Sequence, residues 1–278
     1  MDTARFPKAA TGLGAWLACY RRLFVLTGAG CSTGSGIADY RDAAGAWKRK
    51  PPVTFQAFSG DPQTYRRYWA RSSLGWPRFA AARPNGAHAA LARLEDAGRF
   101  VLLVTQNVDG LHQRAGSRAV VDLHGRLDEV ICLGCGERVP RDTVQATIAR
   151  DNPGWSTTVA QFAPDGDADI DERAADSFVP PHCEDCGGAL KPDVVFFGEN
   201  VPRERFQRAQ RALETADAML VVGSSLMVYS GFRFARMAAE AGLPLAIVNR
   251  GRTRADDIAT LKIEAEVGEA LEGALDCL

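Results

Sequence analysis

Short apolar runs punctuate the chain: Leu23 to Leu26 (LFVL), Phe100 to Thr105 (FVLLVT), Val194 to Phe197 (VVFF), Met219 to Val222 (MLVV) and Leu245 to Val248 (LAIV), each ending near Gly, Asn or Asp. Such runs predict parallel strands buried on both faces. Between several of them apolar positions recur at helical spacing, in AHAALARLEDAG with a stop at Gly98, in RERFQRAQRALETA, and in SGFRFARMAAEAG with a stop at Gly242. Strand alternating with helix implies an α/β fold with a doubly wound, Rossmann-like parallel sheet.

Two stretches break the alternation. Residues about 45 to 85, with FQAFSGDPQTYRRYWARSSLGWPRF, are rich in aromatics and arginine and predict one or two helices covering the carboxyl edge of the sheet. Residues about 126 to 190 carry two Cys-x-x-Cys pairs and few helix-length apolar patterns, and strand-like runs resume directly afterwards. They read as a small inserted module. The expected organisation is a Rossmann-like domain from 1–125 and 191–278, interrupted by the module at 126–190. Within the module, APDGDADIDERAAD is acidic and turn-rich, which predicts a mobile loop. There is no internal repeat and no low-complexity tract.

Composition adds limits. With 278 residues, 46% hydrophobic and 24% charged, the chain is of ordinary globular type and long enough to bury a core. Its 33 Lys and Arg nearly cancel 34 Asp and Glu, so bulk charge argues for neither a nucleic-acid nor a membrane partner. No apolar run approaches the roughly 20 residues of a membrane span. The N-terminal MDTARFPKAATGLGAWLACYRRL lacks the order of a secretory signal, and Asp2 argues against a transit peptide. A cytoplasmic protein is the expectation.

Of seven cysteines, Cys19, Cys31 and Cys277 are scattered, while Cys132, Cys135, Cys183 and Cys186 form the two pairs. In a reducing compartment this pattern favours a metal over disulfides. Each Cys-x-x-Cys turn brings two thiolates to one edge of a zinc ion, and two turns complete a tetrahedral sulphur site. The glycines in CLGCGE and CEDCGG suit knuckle turns whose amides face sulphur. Four cysteine ligands leave no position for water, so such a zinc is structural and not catalytic. A redox pair or unligated core cysteines are the alternatives.

The candidate chemistry gathers at the predicted strand ends. After the first run comes TGAGCSTGSGIADYRD, whose Gly28 and Gly30 are followed by Gly34 and Gly36, one residue late for the Gly-x-Gly-x-x-Gly fingerprint. TQNVDGLH follows the second run, and Asn107 and Asp109 offer an amide and a carboxylate to hydroxyls or water; a plain Asn/Asp turn is the other reading. His124, just before the module and followed by Gly125, has an imidazole suited to taking a proton near neutrality, unlike His88, His112 and His182, which lack such context. Gly223, Ser224 and Ser225, and Asn249, Arg250 and Gly251, follow strands as well. They suit ribose hydroxyls or an adenine edge, and equally a strand-to-helix turn.

In combination, GAGCSTGSGIADYR, TQNVDGLH, LHG, the two Cys-x-x-Cys pairs, KPDVVFFGE, VVGSSL and IVN stand in the order found in sirtuins, the NAD-dependent protein deacylases, and the chain resembles them over about residues 18 to 272. RYWARSSLGWPRF, PDVVFFGENV and the long insert look like the class II branch, in a bacterial member. The resemblance implies that Gly28, Ala29, Gly30, Ser32, Asp39, Tyr40 and Arg41 form the loop on the phosphates, ribose and nicotinamide of NAD. It further implies that Gln106, Asn107 and Asp109 line the nicotinamide and ribose pocket. His124 becomes the catalytic histidine, beside Asn107 and Asp109. Gly223, Ser224, Ser225, Asn249, Gly251 and Val267 fall on the adenosine side. The four paired cysteines match the structural zinc site.

The implied reaction consumes NAD: the acyl oxygen of a modified lysine attacks the ribose carbon as nicotinamide leaves, and the histidine deprotonates a ribose hydroxyl so that the acyl group migrates, giving O-acyl-ADP-ribose. The partners implied are proteins carrying acylated lysine. The alternative on the same site is protein ADP-ribosyl transfer. A non-catalytic NAD- and zinc-dependent binding module is a third reading, disfavoured by the intact His124 and Asn107. Ala38 departs from the proline of the family's GIPDYR and loosens the loop. Tyr68 and Arg71, three apart on one helix face, resemble the pair with which a related class reads acidic acyl groups, which leads to an expected preference for larger or carboxylated acyl groups. The alternative is an arginine on a solvated face.

Overall fold

The computed structural model describes residues 9–48, 52–159, 161–163 and 166–275. Cys277, Pro164 and Asp165, all weighed above, lie outside them.

In chain order the first half contains α1 (Ala9–Cys19), β1 (Leu23–Thr27), α2 (Phe55–Gly60), α3 (Pro62–Ala80), α4 (Gly86–Asp96), β2 (Phe100–Thr105), α5 (Leu111–Arg114), β3 (Val120–Asp122), β4 (Gly125–Cys132) and β5 (Arg138–Pro140). There follow α6 (Arg141–Asp151), β6 (Gln161–Phe162), β7 (Ala168–Asp169), β8 (Leu190–Val194), α7 (Arg203–Glu214), β9 (Ala218–Val222), α8 (Tyr229–Glu240), β10 (Leu245–Val248), β11 (Leu261–Ile263) and α9 (Val267–Leu275).

Six strands make a parallel sheet in the order β11-β10-β9-β1-β2-β3. The apolar runs are continuous because both faces of the sheet are covered. Leu23 and Val25 point to one face, with α1, α4 and α9, while Phe24 and Leu26 point to the other, with α7 and α8. Because β1 lies between β9 and β2, the chain leaves it in opposite directions along the sheet, and the carboxyl ends part there into a crevice.

The second sheet is small and antiparallel, in the order β5-β4-β8. Here the expected strand at Val194–Phe197 needs correction. The strand is β8, Leu190–Val194, which pairs with β4 and not with the parallel sheet. Its ladder takes in Lys191 and Pro192, whose polar and ring side chains hid it from a search for apolar runs. β3 and β11 were not anticipated either, each only three residues long and carrying a charged residue, Asp122 or Lys262.

α2 and α3 share a core with the small sheet: Phe58, Tyr65 and Trp69 pack with Val130, Val144, Phe178 and Phe196. Polar atoms fix the register of that packing. Trp69 Nε1 donates to Leu190 O at 3.2 Å, and Tyr65 Oη donates to Pro181 O at 2.6 Å while accepting from Leu190 N at 2.9 Å. α3 begins cleanly because Asp61 caps it, accepting from the amides of Gln63 and Thr64, with Pro62 at its first position. The acidic stretch expected as a loop, which begins at Ala163, supplies β7 of the β6–β7 hairpin and a short 3-10 turn at Glu172–Ala175. Among the described residues no helix is long and apolar enough to cross a membrane.

Candidate active site

The crevice at the carboxyl ends of β1, β2, β9 and β10 opens into a cavity of about 510 Å³. Its floor is where the turns after β1 and β9 interlock. A Cβ on Gly223, whose φ is +62°, would lie 2.4 Å from the Cys31 nitrogen, and one on Gly28 would lie 2.7 Å from Ser224 Cβ. Gly28 N donates to Val222 O at 3.1 Å and Gly30 N to Gly223 O at 2.8 Å. The late-spaced glycines therefore serve first to let two backbones touch, and these two amides are already engaged.

Over this floor lies a polar network. Asn107 Nδ2 donates to Gly28 O and to Ser32 Oγ, both at 3.0 Å, and Ser32 Oγ donates to Asp109 Oδ2 at 2.7 Å. Gln106 Nε2 reaches Ser224 Oγ at 2.8 Å, tying β2 to β9. Asp109 also accepts from Leu111 N at 2.9 Å, which opens α5. Each side chain has its orientation set by a neighbour in the network.

His124 enters the same cavity from the joint between the two sheets. Its neighbour Gly125, at φ +83°, starts β4, and a Cβ there would lie 1.9 Å from Asp193 O, so β8 is clasped directly against the turn. His124 Nδ1 is 3.0 Å from Gln106 O and Nε2 is 2.7 Å from Ser230 Oγ. A carbonyl oxygen only accepts, so Nδ1 carries the proton and Nε2 presents its lone pair to the Ser230 hydroxyl. Burial pushes the imidazole down to about 4 against the support of the Gln106 bond, with the Arg205 charge adding to the lowering. At neutral pH the ring is an uncharged base aimed into the cavity. Ser230 carried no signal in the sequence beyond its place early in a predicted helix.

The loop after Ile37 forms the cover. Asp39 pairs with Lys48, Arg41 donates to Gly45 O at 2.8 Å and lies 4.1 Å over the Trp47 ring, and Trp47 meets Tyr40 and Phe197 edge-on. Ala29, Gly30, Ser225, Asn249 and Arg250 also line the cavity. Gly251 and Val267 do not. Gly251 packs against Ala43, where a Cβ would come within 2.5 Å of its carbonyl oxygen, and Val267 belongs to the core under α9.

His88 and His112 meet behind the floor with their rings tilted by 56° and ring centres 4.8 Å apart, beside Cys31. His112 Nε2 lies 2.9 Å from Thr27 Oγ1, and the Asn85 amide donates to His88 Nδ1 at 3.3 Å, which fixes the His88 proton on Nε2 and removes that atom as a ligand. Burial lowers both imidazoles, His112 the further.

The four paired cysteines come together at the end of β4 and before β8. Cys132 and Cys186 sulphurs are 3.5 Å apart, Cys135 and Cys183 3.8 Å, and all four lie within 4.8 Å of one another. Four sulphurs at ~2.3 Å from one zinc stand about 3.8 Å apart, so the cluster fits a tetrahedral ion. The Gly134 amide donates to Cys132 Sγ at 3.3 Å and the Gly188 amide to Cys186 Sγ at 3.4 Å, the knuckle geometry that favours thiolates.

Tyr68 lines the cavity, but Arg71 on the next turn of α3 does not. Its Nε donates to Ala168 O at 3.1 Å and its Nη2 lies 3.6 Å from Asp167 Oδ2. Asp167, from the acidic stretch, lines the cavity in its place.

The sequence profile of the Sir2 family matches residues 28–230. An NAD-dependent protein deacetylase of Xanthomonas campestris pv. campestris (strain 8004) is 65% identical over 252 residues, 91% of this chain and 86% of its own. NAD-dependent protein deacetylase 2 of Bradyrhizobium diazoefficiens is 61% identical over 265 residues, 95% of this chain and 97% of its own. Among solved structures, a Sir2 protein with a p53 peptide and NAD+ superposes with a TM-score of 0.78 at 33% identity, covering 97% of this chain and 98% of that one. Another, Sir2 bound to an acetylated peptide, has a TM-score of 0.73 at 33% identity, covering 94% of each.

Proposed function

The chain belongs to the Sir2 family, an NAD-dependent protein deacetylase in a Rossmann-like fold with a four-cysteine cluster suited to structural zinc, and from that premise we propose how its own residues carry the reaction. NAD supplies the activated ribose that accepts the acyl group and is consumed. The balanced change is acyl-lysine plus NAD plus water to lysine, nicotinamide and O-acyl-ADP-ribose.

In this reading His124 is the base. The observation that carries it is the fixed tautomer: Nδ1 is held by the Gln106 carbonyl, and Nε2 faces a hydroxyl at 2.7 Å. Ser230 occupies, in the resting protein, the position that a ribose hydroxyl takes when it gives up its proton. Asn107, Asp109 and Ser32 orient the nicotinamide and ribose end, supported by their mutual bonds of 2.7–3.0 Å. The Asp39 to Arg41 loop covers the cofactor and excludes water. Ser224, Ser225 and Asn249 serve the adenosine side, with Gly251 and Val267 backing it from outside the cavity wall. Cys132, Cys135, Cys183 and Cys186 hold the zinc. The substrates are proteins with acylated lysine side chains, and the cysteine cluster, which needs reduced thiols, supports a cytoplasmic setting.

The deciding experiment is incubation with NAD and an acetyl-lysine peptide, followed by mass spectrometry. O-acetyl-ADP-ribose and free lysine are expected; ADP-ribose attached to protein without deacylation would overturn the reading in favour of ADP-ribosyl transfer.

A further inference from the structure

The acidic stretch does not stand away from the cavity. The β6–β7 hairpin lies along α3 so closely that a Cβ on Gly75 would sit 1.7 Å from Gly166 O and 3.1 Å from Ala168 N. Only a missing side chain in mid-helix lets it seat, at the usual helix cost of a glycine. Arg78 lies over Phe162, 4.8 Å from its ring centre, and Arg71 holds the Ala168 carbonyl. This docking delivers Asp167, 2% exposed, into the cavity wall near Tyr68.

Two guanidinium groups stand in that corner. Arg71 Nη2 is 3.6 Å from the Asp167 carboxylate. Arg141, buried between Trp69 and Trp76, is pushed down to about 10 by burial, with Tyr68 first and then Asp167 and Asp142 acting in the opposite direction. Arg141 donates to Ser72 Oγ and Gln145 Oε1, and among the described residues it has no charged partner at hydrogen-bond distance. Among the described residues, Asp167 is thus a negative charge that acts on both arginines.

We propose that Asp167 is an internal counter-ion that keeps Arg71 from the substrate and makes the acyl end of the cavity select neutral acyl-lysines over those ending in a carboxylate. The proposal rests on the deacylase reading above. A succinyl or glutaryl carboxylate entering beside Tyr68 faces a wall that presents the buried Asp167 carboxylate and not Arg71, and two like charges there repel. Bidentate capture by Arg71 requires breaking its bonds to the hairpin. A neutral acyl chain incurs neither cost and packs against Tyr68, Phe79 and Leu127. On this proposal the carboxylated-acyl preference expected from Tyr68 and Arg71 is reversed, by a residue about a hundred positions away.

One peptide carrying acetyl, butyryl or glutaryl lysine tests this, with nicotinamide release and equilibrium peptide binding measured on the full chain. The wild type is expected to favour acetyl and butyryl over glutaryl by about tenfold or more, the weight of one charge-assisted hydrogen bond. Asp167→Asn should raise the glutaryl-to-acetyl ratio by about tenfold, and adding Arg71→Ala to it should take the gain away. Arg71→Ala alone takes the positive charge from beside Asp167, so the ratio should stay at the wild-type value or fall further. A glutaryl-preferring wild type, an unchanged ratio in folded Asp167→Asn, or a ratio raised by Arg71→Ala alone overturns the proposal. If melting shows that Asp167→Asn does not fold, Asp167→Ser replaces it and must raise the ratio in the same way. Binding ratios need no turnover, so a protein that releases no nicotinamide from any peptide refutes the deacylase reading separately.

Discussion

The Gln106 carbonyl oxygen lies 3.0 Å from His124 Nδ1, and this single backbone contact determines which ring nitrogen faces the cavity. Second partners of this kind set the tautomer and direction of a histidine. His124→Ala should therefore lower the rate of nicotinamide release from an acetyl-peptide by about 10²–10⁴-fold. The melting temperature and NAD binding should change little. A variant retaining near wild-type turnover would remove His124 from the mechanism.

The same ring predicts a pH dependence. Its folded value is about 4, below the ordinary 6.5, and His88 and His112 are lowered as well. Between those values the unfolded chain binds protons that the folded one refuses. Stability contributed by the neutral rings is full above about 6.5 and is lost as pH falls toward 4. Melting temperature should drop across that window, while turnover stays flat from 7 downward until well below the usual histidine range. A melting curve insensitive to pH between 6.5 and 4.5 would contradict the burial of these rings.

Zinc should be a folding ligand only. A chelator strong enough to strip it is expected to lower the melting temperature by about 10 °C or more and to abolish turnover as a consequence. Cys132→Ser should do the same without chelator. Restored zinc, and equally a redox-inert substitute such as cadmium, should recover both properties; recovery of the fold without activity would show that the metal takes part in the chemistry.

At the floor, Gly223→Ala tests the interlock of the two turns. The new methyl would meet the Cys31 amide at 2.4 Å from a backbone at φ +62°, which costs about 1–3 kcal/mol or more. The expected readout is a lower melting temperature together with loss of the stabilisation that NAD gives the wild type. An intact NAD-dependent shift would mean that the floor adjusts without disturbing the site.

The sheet was legible where both faces are buried. Phe100–Thr105 and Leu245–Val248 were delimited to the residue because nothing polar interrupts them. β8 was misplaced because its ladder runs through Lys191 and Pro192, and a lysine in a ladder reads as solvent-facing until one sees its Nζ bonded to Glu199 at 3.0 Å. The polar ends of β1, β2 and β9 announced the site, since side chains at strand ends in such a fold face one crevice. Ser230 and Asp167 did not announce themselves. Each is placed by a contact over a long separation, Ser230 by His124 106 positions earlier and Asp167 by a hairpin seated on a helix almost a hundred residues back. Spacing within a motif carries no trace of such meetings. The pairing of Tyr68 with Arg71 was legible as helix geometry, whereas the contacts of Arg71 with Ala168 and Asp167 come from a distant segment.

His124 occupies the last residue before the chain crosses from the parallel sheet to the antiparallel one. Leu123 N donates to Thr105 O at 2.8 Å on one side, and Val195 N donates to the His124 carbonyl at 2.8 Å on the other. The imidazole is thus mounted on a rivet joining two bodies, one stiffened by its apolar core and the other by four sulphurs on a metal. Any loosening of the sulphur end tilts the rivet, so an ion with no vacant coordination site would set the aim of a base it never touches.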